Sequence, residues 1–212
     1  GMMHNIDFSV AGGNDKANAY LGLGYVNQEG ILEDTGHKRF NFRINSDYKA
    51  TKWLTIGERI SFNYTNTPGF EEWQYQNEYE SPLVNALTVH PYIAPYDSTG
   101  NYIPNGLGQT ESPLPSIELL NKEYNRREGN GMVFARITPI KGLSFETRLS
   151  GSLAFNDDYN FLPTFRYGVA PGQYREIPEI QRRYETSNSY NWQNIITYNT
   201  VIANKVNLSA MA

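Results

Sequence analysis

The sequence predicts an all-β protein, an antiparallel up-and-down meander with a long irregular insertion that carries short helices. Three observations predict it. Apolar and polar side chains alternate with period two over long stretches, a spacing that a helix cannot gather into one stripe. Dense turn signals separate those stretches, so strand follows turn follows strand, the pattern of consecutive antiparallel neighbours. The composition has 39% hydrophobic residues, 14% aromatics and 16 tyrosines in 212 residues, which suits thin β-structure with wet faces better than an aliphatic core.

In chain order, Ile6, Phe8 and Val10 alternate with Asp7 and Ser9, and the turn-rich GGNDKAN follows. Residues 19 to 25 resume with Leu21 and Leu23 on one face and Gly22 and Gly24 on the other, which completes a hairpin. After the polar NQEGILEDTGHK, Phe40, Phe42, Ile44 and Tyr48 alternate with Asn41, Arg43, Asn45 and Asp47. The short break ATKW leads to Leu54, Ile56, Ile60, Phe62 and Tyr64 against Thr55, Arg59, Ser61, Asn63 and Thr65.

Residues 66–128 lose the alternation and read as an insertion. SPLVNALTVHP predicts a short helix opened by Ser81-Pro82 and closed before Pro91, YDSTGNYIPNG a tight turn, and PSIELLNKEY a second short helix. So long an irregular connection is expected to be functional or disordered. Strands return over residues 129–212. Val133, Ala135 and Ile137 oppose Phe134, Arg136 and Thr138, and Pro139-Ile140-Lys141-Gly142 turns the chain. Leu143, Phe145, Leu149, Leu153 and Phe155 then oppose Ser144, Glu146, Arg148, Ser150 and Ser152. Residues 156–173 read as loop or irregular strand, and the end as one strand, a turn at Ala203-Asn204-Lys205 and the start of another, roughly eight strands in all.

Charge and composition exclude several functions. A net charge of -4 gives a nucleic-acid partner no electrostatic support. The absence of cysteine removes disulfides, thiolate metal sites and thiol nucleophiles. No apolar run reaches the ~20 residues of a membrane helix, whereas barrel strands need only ~9 to 11. Gly1-Met2-Met3 lacks the features of a secretion signal, and both ends read as cuts in a longer chain.

The first third closely resembles the start of the barrel in the SusC/RagA family of TonB-dependent outer-membrane transporters. The resemblance is carried by the Gly12-Gly13 turn, Gly24-Tyr25, Gln28-Glu29-Gly30-Ile31, Thr35-Gly36, Lys38-Arg39-Phe40, Arg43-Ile44-Asn45, Lys52-Trp53-Leu54 and Ile56-Gly57. PYDSTGNY, ITPIKGLSFETRLSG, NWQNIITYN and NLSAMA extend it along nearly the whole chain. The resemblance implies a partial segment of a transmembrane β-barrel of about twenty-two strands. On that reading residues 1–65 are the first barrel hairpins, 66–128 an extracellular-type insertion and 129–212 further barrel strands, with plug and TonB box absent. It also implies nutrient import of glycan or peptide in the bacterial outer membrane. The implied partners, TonB and a SusD-like lipoprotein lid, engage the full-length protein, and no cofactor is implied.

A transmembrane barrel strand must be apolar towards the lipid bilayer and polar towards the lumen. Phe40, Phe42 and Ile44 would then face lipid, and Arg43, Asn45, Asp47, Arg59, Glu146 and Arg148 the lumen. An Arg or Lys at mid-membrane on the lipid side costs ~2 to 4 kcal/mol, and the arginines of these strands avoid that side. Tyr48 and Trp53 beside a strand break suit an aromatic girdle. Glu58 disagrees, since it shares a face with Leu54, Ile56, Ile60 and Phe62. Either a bulge shifts the register there, or the carboxylate lies near the membrane interface.

Trp73, Tyr75 and Tyr79 are candidate ligand-binding residues: they either stack on sugar rings or contact a lid, or they pack their loop against the rim. Glu71-Glu72 and Asp157-Asp158 are neighbours that point opposite ways on an extended chain, so their spacing makes no acid/base pair. His4, His37 and His90 lack metal-ligand spacing, and no serine has a hydrolase context, so no catalytic role and no metal is expected. The competing reading is a secreted β-sandwich that binds carbohydrate through the same three aromatics. Cut from a larger barrel, the isolated segment is expected to oligomerise or to curl over its own apolar side.

Overall fold

The structure is a computed structural model, and it describes residues 1–69, 82–104, 112–118, 121–166, 168–169, 173–202 and 206–212. Four strands come first: β1 Met3–Gly13, β2 Ala17–Glu29, β3 Gly36–Lys49 and β4 Leu54–Pro68. Two short helices follow, α1 Pro82–Thr88 and α2 Pro113–Glu118. The long strands β5 Asn121–Ile140 and β6 Leu143–Leu162 come next, then the minimal pair β7 Phe165–Arg166 and β8 Tyr174–Arg175, and last β9 Glu179–Ile202 and β10 Val206–Met211. The main sheet has the order β1-β2-β3-β4-β5-β6-β9-β10, with every paired neighbour antiparallel. It is an open up-and-down meander of eight strands with β1 and β10 as edges.

The connections sort by end. At one end β1–β2, β3–β4 and β5–β6 are joined across residues 14–16, 50–53 and 141–142. Gly142 lets the tightest of these close: its φ of +87° belongs to the left-handed region, and Asn199 N–H donates to its carbonyl at 2.8 Å. The other end carries the long connections 69–120 and 163–178. Short turns at one rim and long loops at the other are the arrangement of outer-membrane barrels, short turns periplasmic and long loops extracellular.

Register carries the alternation intact across the sheet. Leu23, Phe42, Phe62, Gly129 and Leu153 form one cross-strand row, and Glu58, Val133, Leu149 and Trp192 belong to another on the same side. This side is open to its surroundings: Phe8, Val133, Leu149 and Trp192 are 60%, 55%, 54% and 69% exposed. Buried side chains lie on the opposite, polar side, among them Val26, Phe134, Ala154 and Glu146. The single sheet therefore curls towards its polar side. That direction is opposite to the one that would hide the greasy face, which overturns the expectation that the segment curls over its apolar side. It also removes the sandwich reading: no second layer of described residues covers Phe40, Phe42 and Ile44.

Several bounds differ from those the alternation predicts. The stretch between β4 and β5 is 69–120 rather than 66–128. The second helix is described over Pro113–Glu118, and Asn121–Tyr124, expected as its last turn, begin β5. Of residues 156–173, expected as loop or irregular strand, 156–162 are strand and continue β6. The turn expected at 203–205 lies outside the described residues. One cause explains the strand misses. β5 and β6 have 20 residues each and β9 has 24, about twice what a barrel strand needs to cross a bilayer. Beyond Tyr64 and Phe155 the apolar side turns polar, with Arg127, Asn125, Asp157 and Arg182. Both faces are wet there, and nothing forces alternation.

Candidate functional site

All six residues expected on the polar side are there, and four of them belong to two interaction groups. Asp47 on β3 meets Arg59 on β4, Nη2 to Oδ1 at 2.8 Å, and Arg59 Nη1 also donates to the carbonyls of Ser46 and Glu58 at 2.9 and 2.7 Å. On the far side of Arg59 lies the ring of Phe134, with Cζ 5.3 Å from its centroid, and Arg136 stands over the same ring at 5.5 Å. Arg136 in turn donates from Nε to Glu146 Oε2 at 2.5 Å, and Arg148 holds Oε1 of the same carboxylate. Thus a charged belt, Asp47–Arg59–Phe134–Arg136–Glu146–Arg148, crosses four strands.

Physical chemistry explains the order of that belt. Glu146 is only 6% exposed, and a buried carboxylate is tolerated when both oxygens are paired, as here. The ring of Phe134 offers its negative face to two cations at once. Gly57 makes room for it, since a Cβ at that position would stand 2.5 Å from Phe134 Cε1 and 2.6 Å from Asp47 Oδ1. Phe134 and Gly57 are the functional positions that reasoning from alternation missed. The available signal was an aromatic ring in the polar register between Met132 and Arg136.

Towards the long-loop end the polar face becomes shallow. Arg43, Ser61, Asn130, Ser152 and Ser189 are successive cross-strand partners on β3, β4, β5, β6 and β9. With Asn45 and Arg59 they border one groove of about 540 Å³. That residues four strand-steps apart share one groove is a measure of the curl. Small hydroxyl and amide side chains make the hollow, and Ser152 and Ser189 hydrogen-bond across it at 2.7 Å between their Oγ atoms. The groove offers many weak hydrogen-bonding partners and two guanidiniums, Arg59 tied to Asp47 and Arg43, which is exposed.

Glu58 sits on the apolar side, in unbroken register with Ser46 and Val133. No bulge shifts it, and it stands beside the row of Ile56 and Tyr48, towards the short-turn end of the strand. Its carboxylate accepts a hydrogen bond from Ser46 Oγ at 3.3 Å.

Trp73, Tyr75 and Tyr79 lie outside the described residues. What is described of the insertion is a tied loop. Asp97 Oδ1 accepts from Thr99 N, Thr99 Oγ1 and Asn101 N at 2.8, 2.7 and 2.9 Å, and these bonds hold its carboxyl at about 2. Tyr96 and Tyr102 each donate to one oxygen of Glu118, at 2.7 and 2.5 Å, so the loop is pinned to α2. The Glu118 hydrogen bond raises Tyr96, while burial first and then Glu118 raise Tyr102. Among the described residues no cluster of acidic and histidine side chains could hold a metal ion.

No protein-family model matches the chain. TonB-dependent receptor P39 of Formosa agariphila is 22% identical to it over 212 residues, all of this chain and 19% of the receptor. This chain is a relative of the TonB-dependent receptors. Its place is the outer membrane. A second such receptor of the same organism, P26, is 26% identical over 145 residues, 65% of this chain and 13% of that protein. The chain thus spans about a fifth or less of the length of the curated relatives it matches. Among solved structures, the RagAB peptide transporter superposes with a TM-score of 0.77 at 22% identity, over 99% of this chain and 23% of the matched one. The RagAB peptide importer in its 'open-open' state gives 0.77 at 24% identity, over 98% and 23%. The meander is therefore the fold of part of a TonB-dependent receptor barrel.

Proposed function

We propose that this chain is a stretch of the barrel wall of a SusC-like importer, which moves a nutrient, oligosaccharide or peptide, across the outer membrane. The observation that carries the reading is the division of one sheet into an exposed apolar face and a curled-in polar face that bears the charged belt. Lipid covers the first, and the second lines the conduit through Arg43, Asn45, Asp47, Arg59, Glu146 and Arg148. The segment acts by geometry and hydrogen bonding, not by catalysis. The insertion between β4 and β5 rises at the extracellular rim, where Trp73, Tyr75 and Tyr79 meet cargo or a SusD-like lipoprotein, and TonB energises the whole receptor.

The segment has no cysteine, so single cysteines introduced into it report its topology in a full-length receptor freed of any cysteine elsewhere. Arg43→Cys is expected to react in whole cells with a small water-soluble maleimide, and Phe42→Cys only after detergent. The opposite pattern overturns the reading, as does cargo uptake that continues undiminished without TonB.

A further inference from the structure

Above the membrane, the extensions of β5, β6 and β9 enclose a second cavity of about 410 Å³, unused by the function proposed above. Thr67, Lys122, Tyr124, Asp158, Asn160 and Arg183 are among the residues around it. Two acceptor atoms, Asp158 Oδ1 and Asn160 Oδ1, are buried there without any hydrogen-bond partner. Residues 158 and 160 are two apart on β6, so both side chains leave the same face of the strand. An orphaned buried acceptor costs about 1 to 3 kcal/mol, and native proteins rarely keep two side by side without a ligand or ordered water.

Several of the donors near the cavity have other partners. Arg182 Nε and Nη2 bind Asp157 at 3.1 and 2.9 Å, and Arg183 Nη2 reaches Glu185 at 3.4 Å. Asn160 Nδ2 donates to Gln181 Oε1 at 3.2 Å, and Gln181 Nε2 to Glu179 Oε1 at 2.6 Å. The two orphaned acceptors are what the cavity offers a ligand, and they ask for donors. An acceptor-only group such as carboxylate or phosphate would face Asp158 with like charge. An ammonium would share the polar side with two cations, Lys122 and Arg183, against one acid, Asp158, since Glu123 and Arg182 leave the other side of their strands. Neutral hydroxyls meet neither objection. Adjacent hydroxyls on a sugar ring present two donors at a separation that neighbouring acceptors can take together, and Tyr124, cross-strand partner of Asp158, supplies an apolar flank. Burial raises the Asp158 carboxyl, with Glu185 and Asp157 adding to it against the pull of Arg183, which is the condition of a carboxylate that gains from new donors.

Resting on the importer reading, we propose that the Asp158–Asn160 cavity is a subsite at the outer rim for a vicinal diol of a neutral, polyhydroxylated ring, held by these two acceptors before the cargo enters the conduit. The test is calorimetry on the purified full-length receptor in detergent, with maltotriose, mannotriose and xylotriose as neutral probes and trialanine as the ammonium probe. At least one trisaccharide is expected to bind. Asp158→Ala and Asn160→Ala are each expected to weaken it about tenfold, while Lys141→Ala at the opposite rim leaves it unchanged. Asp158→Asn keeps size and fold and is expected to weaken binding in the same direction, so loss of folding in the alanine variants does not hide the answer. Binding of trialanine in place of the sugars overturns the proposal, as does sugar affinity indifferent to both positions, or binding of neither class. TonB-dependent uptake by the same receptor is scored separately. Its persistence alongside failed sugar binding removes this subsite alone, and its absence removes the importer reading as well.

Discussion

Gly57 and Phe134 are cross-strand partners on β4 and β5, and the ring of Phe134 occupies the space that a side chain on Gly57 would need. Gly57→Ala forces either the ring or Asp47 to move. A loss of about 1–3 kcal/mol in unfolding free energy is expected, from the usual cost of overpacking. Urea denaturation of the detergent-folded protein measures it, and an unchanged midpoint means that Phe134 is free to swing away.

Glu146 is the hub of the charged belt, and its loss leaves Arg136 and Arg148 facing each other without their shared carboxylate. Breaking a fully buried pair costs 3–5 kcal/mol, but both guanidiniums are partly exposed here, so roughly 1–3 kcal/mol is expected for Glu146→Leu. Replacing all three residues with apolar ones is expected to recover part of that loss, because no charge is then left unpaired. A double-mutant cycle on Arg136 and Glu146 isolates the pair.

On the apolar side of the sheet Glu58 is expected to oppose insertion. Glu58→Val should favour folding into lipid vesicles by about 1 kcal/mol, since an acidic residue on the lipid side of a barrel is penalised less than a basic one. Folding yields in vesicles of fixed composition decide it. A variant that inserts worse than the parent would mean that another protein, not lipid, covers this face.

The Asp97 loop should respond to pH at both extremes. Its carboxyl is lowered from 3.8 to about 2, so the loop's hydrogen bonds contribute fully above the ordinary value and are lost as pH falls through about 2. Tyr102 is raised, so its contribution is intact below the ordinary phenol range and disappears only as pH rises through the raised value. Limited proteolysis near residue 98 is expected to stay slow at pH 4 and to quicken near pH 2, with Asp97→Ala cut readily at neutral pH. A loop cut equally fast in both forms would show that Asp97 does not order it.

The strands that cross the membrane were legible because lipid on one side and water on the other dictate the pleat residue by residue. Phe40, Phe42 and Ile44 had no alternative partner, and Arg43, Asn45 and Asp47 no alternative side. The same rule falls silent above the bilayer, where Asn125, Asp157 and Arg182 show that β5, β6 and β9 continue with polar groups on both faces. The belt was half legible: its charges follow from the alternation, but the aromatic ring between Arg59 and Arg136 depends on a cross-strand register that no local pattern specifies. For Glu58 the alternation gave the correct face, and only the unbroken ladder to Ser46 and Val133 removed the shifted register.

The tall extensions of β5, β6 and β9 bear on how such a wall can diverge. A hairpin standing clear of the bilayer can gain or lose residues without disturbing the part below, because neither of its faces has to be apolar and a swap of inside for outside there costs little. Within the band below, a single inserted residue would turn every apolar side chain on one side of it inward unless a bulge absorbed it. Rim height should therefore vary freely among descendants of this chain while the length of the band stays fixed.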